Sequence, residues 1–73
     1  MTEIRRGELV RRTRHVASNP DGTPAWSYDL TFRPPDRLGR YNPRIRARWE
    51  MSVYAGTGFD WQLGRRYDLA FHD

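Results

Sequence analysis

The chain has no cysteine, no lysine and only two histidines, and its apolar residues never form a long run. Without cysteine, neither a disulfide nor a thiolate-bound metal can supplement the core. His15 and His72 stand near opposite ends, with no HExxH or EF-hand spacing between them. A structural metal needs several ligands of fixed type, so no metal is expected. No apolar stretch approaches the ~20 residues of a membrane helix or the roughly 7–15 of a signal-peptide core. The opening, Met1-Thr2-Glu3-Ile4-Arg5-Arg6-Gly7, is polar and charged. These absences lead to the expectation of a soluble, cytoplasmic protein with no cofactor and no membrane partner.

Catalytic signatures are missing as well. The chain has no G-x-S-x-G, no cysteine nucleophile, no P-loop and no dinucleotide glycine pattern. Gly56-x-Gly58 reads as a flexible turn. Asp29 and Asp68 could face each other across two strands and exchange protons, but such residues more often pair with arginines on a solvated sheet face. The expectation is a protein that is not an enzyme.

What the chain does have is arginine, β-patterning and rings. It has thirteen arginines against nine acids, for a formal net charge of +4. The complete absence of lysine reads as codon bias in a GC-rich genome, set against the better fit of a planar, forked guanidinium to phosphate, carboxylate and aromatic faces. The positive balance still favours nucleic acid or an acidic protein surface as partner. Three Trp, four Tyr and three Phe supply a core for one domain spanning residues 1–73. A chain this short buries only roughly 60% of its unfolded surface, so a homodimer is a second route to enough burial.

Alternation predicts the strands. Residues 8–18 read as an edge strand, with arginines on both faces and Gly7 as a bulge joining a short strand at 2–6. Asn19-Pro20-Asp21-Gly22 is strong turn chemistry. In the second strand Trp26, Tyr28, Leu30 and Phe32 oppose Ser27, Asp29, Thr31 and Arg33, and Pro34-Pro35 ends it. A long loop at 36–43 leads to a third strand at 45–55. The Gly56/Gly58 break and a loop with Phe59 and Trp61 precede a last strand, in which Tyr67, Leu69 and Phe71 alternate with polar neighbours. The expected fold is all-β: a single small antiparallel sheet of four to five strands. It should curl into a half-open barrel that resembles SH3 and OB barrels only at fold level. The inward set adds Leu9 or Val10, Val16, Ile45, Trp49, Met51, Val53 and Leu63. A flatter sheet covered by a second copy is the alternative.

The third strand carries the most distinctive chemistry. Ile45, Ala47, Trp49, Met51 and Val53 fall on one face, and Arg44, Arg46 and Arg48 on the other. Alternate residues of a strand lie roughly 6.6–6.8 Å apart, close to the phosphate repeat of an extended single strand. Arg37 and Arg40 would lengthen the row, and Tyr41 could stack on bases. Tyr54, Phe59 and Trp61 form a second aromatic group around the Gly56/Gly58 loop, a stacking platform unless Phe59 and Trp61 fold over the open barrel end as a lid. The opposing expectation is a solvated face balanced by Glu50 and by Asp29 or Asp68.

The expected function is therefore a non-catalytic basic β-module binding single-stranded or structured nucleic acid. Its candidate contacts are Arg37, Arg40, Tyr41, Arg44, Arg46, Arg48, Tyr54 and Trp61. The alternative is a phage or mobile-element accessory or inhibitor protein, or a subunit of an assembly such as a virion, docking on an acidic protein partner.

Overall fold

Apolar alternation builds one antiparallel sheet. The computed structural model describes residues 1–54 and 60–72. Among these the strands are β1 (Thr2–Ser18), β2 (Pro24–Arg33), β3 (Trp49–Tyr54) and β4 (Arg66–His72), in the order β3-β2-β1-β4. The expectations placed on Ala55, Gly56, Gly58 and Phe59 lie outside the described residues.

The β1–β2 hairpin follows from its turn. Gly22 takes a φ of 87° that side chains resist, while the Asp21 carboxylate accepts bonds from Thr23 N (2.9 Å) and Thr23 Oγ1 (2.6 Å). From there the register runs Val16↔Trp26, Arg14↔Tyr28 and Arg12↔Leu30, then slips between Leu9 and Arg11 before Leu9↔Phe32. Val10 is the extra residue of a bulge, which exchanges the two faces of β1. This explains the broken alternation of residues 8–18. It also corrects the expected bulge at Gly7 and the separate short strand, since β1 is continuous. β1 lies inside the sheet rather than at its edge, but β4 reaches only residues 2–8, so from Arg11 onward β2 alone flanks it in the ladder.

Gly7 has a different task. A Cβ placed there would lie 3.1 Å from Phe32 Cβ, 3.2 Å from Trp49 Cε3 and 3.3 Å from Leu69 Cδ1. The missing side chain lets the sheet coil until rings from its two opposite edges, Trp49 and Phe71, meet at 5.0 Å. Leu9, Leu30, Phe32, Tyr67 and Leu69 form the buried core beneath them, with Tyr28, Trp49, Val53, Trp61 and Phe71 packed around it. The coiling stops short of closure. β3 and β4 remain two separate edges, so the molecule is an open coiled sheet, and the expected SH3/OB-like barrel is not supported.

The third strand is shorter than its alternation suggests. It begins at Trp49, paired with Phe32, and not at Ile45. Continuing that register would set Ala47 opposite Pro34 and Arg46 opposite Pro35, and proline has no N–H for the ladder. Residues 45–48 therefore have no strand to join. The inward set is also narrower than expected: Val16 (65% exposed), Trp26 (41%), Met51 (36%) and Leu63 (61%) are open to solvent. Leu63 sits in a turn before Gly64, whose φ is 85°.

Candidate functional site

Two linked turns shape the segment between β2 and β3. After Pro34-Pro35, the Asp36 carboxylate accepts the backbone N–H groups of Leu38 and Arg40, both at 2.9 Å. Asp36 N–H donates to Arg40 O at 2.8 Å, and Gly39 completes the turn with a φ of 76°. In the second turn Asn42 Oδ1 accepts Arg44 N–H (2.9 Å) and Asn42 O accepts Ile45 N–H (3.0 Å). Asp36 is thus spent on local geometry and makes no ion pair with the arginines around it among the described residues. Its Pro-Pro-Asp-x-x-Gly context was a turn signal that sequence reasoning did not use.

Tyr41 ties the loop to the sheet. Its hydroxyl donates to Arg6 O at 3.2 Å, and the Arg66 guanidinium lies 4.4 Å from its ring centroid. Arg66 also faces Glu8 Oε2 at 3.7 Å, and Arg33 Nη1 donates to Glu8 Oε1 at 2.9 Å. Half-buried Tyr41 is an anchor, with one ring face already taken by a cation.

The candidate arginines end up close together by a different route from the expected one. Arg37 and Arg40 are exposed on the first turn. Arg44, Arg46 and Arg48 are exposed and, with Pro43 and Ile45, line one open hollow of about 590 Å³. They gather because the chain turns there, not because a strand sorts them, so the 6.6–6.8 Å phosphate spacing does not apply. Arg48 Nη1 is bound to Ile45 O (2.6 Å) and Ala47 O (2.8 Å), which holds the end of the loop. The remaining two candidates part company. Tyr54 is 83% exposed at the end of β3, on the face opposite the core. Trp61 packs into the core, edge-on to Phe32 at 6.3 Å and tilted against Tyr67 at 4.9 Å, and its carbonyl accepts a bond from Arg12.

Charge is distributed unevenly. Residues 36–48 hold five arginines and one aspartate, and the other eight arginines are matched by eight acids elsewhere. The loop's surplus of four cations equals the net charge by count, although Arg11, Arg12, Arg14 and Arg65 also take part in no ion pair among the described residues. Two of the three carboxylates expected to offset the row are occupied, Asp68 by Arg6 (3.0 Å) and Asp29 by His15 (2.6 Å) and Ser52 (2.7 Å). Glu50 is exposed on β3 and forms no ion pair with the row among the described residues. Among the described residues, no ion pair reaches Arg37, Arg40, Arg44 or Arg46.

The polar face offers one other cluster, His15–Asp29–Ser52, spanning β1, β2 and β3. It holds the three side chains of a nucleophilic triad in an unproductive order. Asp29 occupies the centre, so the imidazole does not reach the Ser52 hydroxyl it would have to deprotonate. The carboxylate pair considered above does not form either. Asp29 is opposite Thr13 and Asp68 opposite Arg6 on β1, about 20 Å apart along the strand. Among the described residues no three metal-ligating side chains gather, and no helix is long and apolar enough to cross a membrane.

The Asp29 cluster instead clamps three strands. The Ser52 hydroxyl first, and His15 second, hold the Asp29 carboxyl below the ordinary carboxylate range. A depressed folded-state value stabilises above the unfolded value of about 3.9, and this is lost as pH falls through the folded value. Asp29→Asn is therefore expected to lower the denaturant midpoint at pH 6. The gap from the native chain should close by pH 2–3. An equal gap at both values would refute the clamp.

Comparisons with protein families, with curated proteins and with solved structures return no match to this chain.

Proposed function

We propose that this protein is a non-catalytic module that binds nucleic acid by its phosphates through the arginine loop at 36–48. The observation that carries the reading is the density of cations in that loop, five arginines to one aspartate within thirteen residues, where Arg37, Arg40, Arg44 and Arg46 make no ion pair among the described residues. A planar, forked guanidinium suits phosphate oxygens, and each phosphate it neutralises releases counterions. Binding would be electrostatic and largely indifferent to base sequence.

The aromatic side chains narrow the class of nucleic acid. Tyr41 and Trp61 are engaged in the fold, so of the candidate rings among the described residues only Tyr54 is free to stack. Single-strand binders rely on successive stacking platforms. A structured or duplex backbone fits the loop better. Fluorescence anisotropy with labelled duplex and single-stranded oligonucleotides of mixed sequence tests this. Micromolar binding at 50 mM salt is expected, at least as tight for duplex as for single strand. Failure of both probes to bind at that salt would overturn the proposal and leave an acidic protein surface as the loop's partner.

A further inference from the structure

The chain as a whole exposes more surface than a monomer of this mass should. An 8.7 kDa monomer is expected to expose about 4,700 Å². This chain exposes 5937 Å², an excess of about 1,200 Å² against the ~800 Å² that each partner gives to an ordinary stable interface. Its radius of gyration, 14.3 Å, likewise exceeds the roughly 11 Å of a compact chain of this length. Exposed apolar side chains mark the face that carries the core. Val16 and Trp26 face each other on the outer half of the β1–β2 hairpin, where the Arg14 guanidinium lies 5.9 Å from the Trp26 ring centroid. Half-buried Tyr28 and Val53 lead from them to exposed Met51.

That strip ends at the edge strand β3, which lacks the usual protection. Natural edges are blunted by charge, proline or a bulge. Among its six residues β3 has one charged side chain, Glu50, no proline, and an unbroken register with β2. The other edges are charged: β4 carries Arg66, Asp68 and His72, and the part of β1 that β4 does not reach carries Arg11, Arg12, Arg14 and His15. The Trp49–Tyr54 sequence is also self-complementary. Opposed residues of an antiparallel pair share a face, so only even registers keep the apolar side continuous. The register centred on Glu50 would set two carboxylates together. Centred on Met51, it pairs Met51 with Met51, Trp49 with Val53 and Glu50 with Ser52, with no like charges opposed.

We infer that β3 pairs antiparallel with β3 of a second copy about a two-fold axis at Met51. The product is one eight-stranded sheet in which the two exposed apolar strips meet. Arg48 directly precedes β3, so this dimer also places both arginine loops on one assembly, where their phosphate contacts would act together.

The cysteine-free sequence makes the register directly testable. Residues directly opposed across an antiparallel pair have Cα atoms about 4.5–5.5 Å apart, within disulfide range. Native mass spectrometry of the unmodified protein at tens of micromolar is expected to show a dimer. Met51→Cys should then oxidise quantitatively to a disulfide-linked dimer, and Ala70→Cys, on the exposed side of β4, should stay largely monomeric under the same oxidant. Circular dichroism confirms that both variants keep the sheet. Met51→Lys and Met51→Glu should each be monomeric and re-form a dimer when mixed. A monomeric native chain, or a dimer that cross-links through Ala70→Cys but not Met51→Cys, would overturn the inference. So would failure of the Lys and Glu chains to pair.

Discussion

Phe32→Ala should leave the chain largely unfolded at room temperature. Phe32 is completely buried, and its ring is edge-on to both Trp61 (6.3 Å) and Tyr67 (6.2 Å). It also lies directly over Gly7, where there is no side chain to swing into the space left behind. Removing a buried phenyl ring costs about 3–5 kcal/mol, because the transfer energy is lost and the cavity remains. A chain of this length has on the order of 4–11 kcal/mol in total, and a core of five buried side chains among the described residues places this one toward the low end. The substitution also detaches Trp61, and with it the segment leading into β4. Thermal melting should show a loss of at least about 15 °C, or no cooperative transition at all. Ile4→Ala, at a side chain 62% exposed, should stay within about 0.5 kcal/mol of the native chain. Equal, small effects at both positions would mean the core is not centred on Phe32.

The second large effect separates the position of charge from its amount. Arg37/Arg44/Arg46→Ala and Arg11/Arg14/Arg65→Ala each remove three cations and lower the formal charge from +4 to about +1. Neither set takes part in an ion pair among the described residues, so both proteins should fold. If binding follows net charge alone, the two variants will weaken equally. A phosphate-binding loop requires an unequal result. The loop variant should lose on the order of 100-fold in duplex affinity at 50–100 mM salt, while the other stays within about threefold of the native chain. A larger loss in the second variant would move the site to the β1–β2 hairpin.

Much of the sheet was legible in the sequence, and the exceptions have a common cause. The faces of β2 and β4 follow directly from alternation, as do the hairpin turn at Asn19–Gly22 and the stop at Pro34-Pro35. Alternation describes one strand at a time, whereas a ladder needs two. Residues 45–48 alternate perfectly, yet the prolines that end β2 also remove the only partner those residues could have joined. The same limit applies to β1, where one bulged residue at Val10 makes a regular strand look irregular. The candidate arginines were visible as an alternating row that Arg37 and Arg40 would lengthen. Their arrangement was not, because it depends on Asp36 and Asn42 turning the chain. The roles of Tyr41 and Trp61 were hidden for another reason. A ring in a loop looks the same in sequence whether it faces solvent or docks on Arg66 and Phe32.

The salt dependence of duplex binding bears most directly on the claim that four loop arginines meet phosphates. Between 50 and 200 mM salt, the logarithm of the association constant plotted against the logarithm of salt concentration should fall with a slope of about −3.6 for four contacts on duplex DNA. Over that range the affinity would drop roughly 150-fold. With all four of Arg37, Arg40, Arg44 and Arg46 replaced by alanine, the slope should approach zero. A native slope shallower than about −1, or the same slope with and without those four side chains, would contradict a phosphate-binding loop.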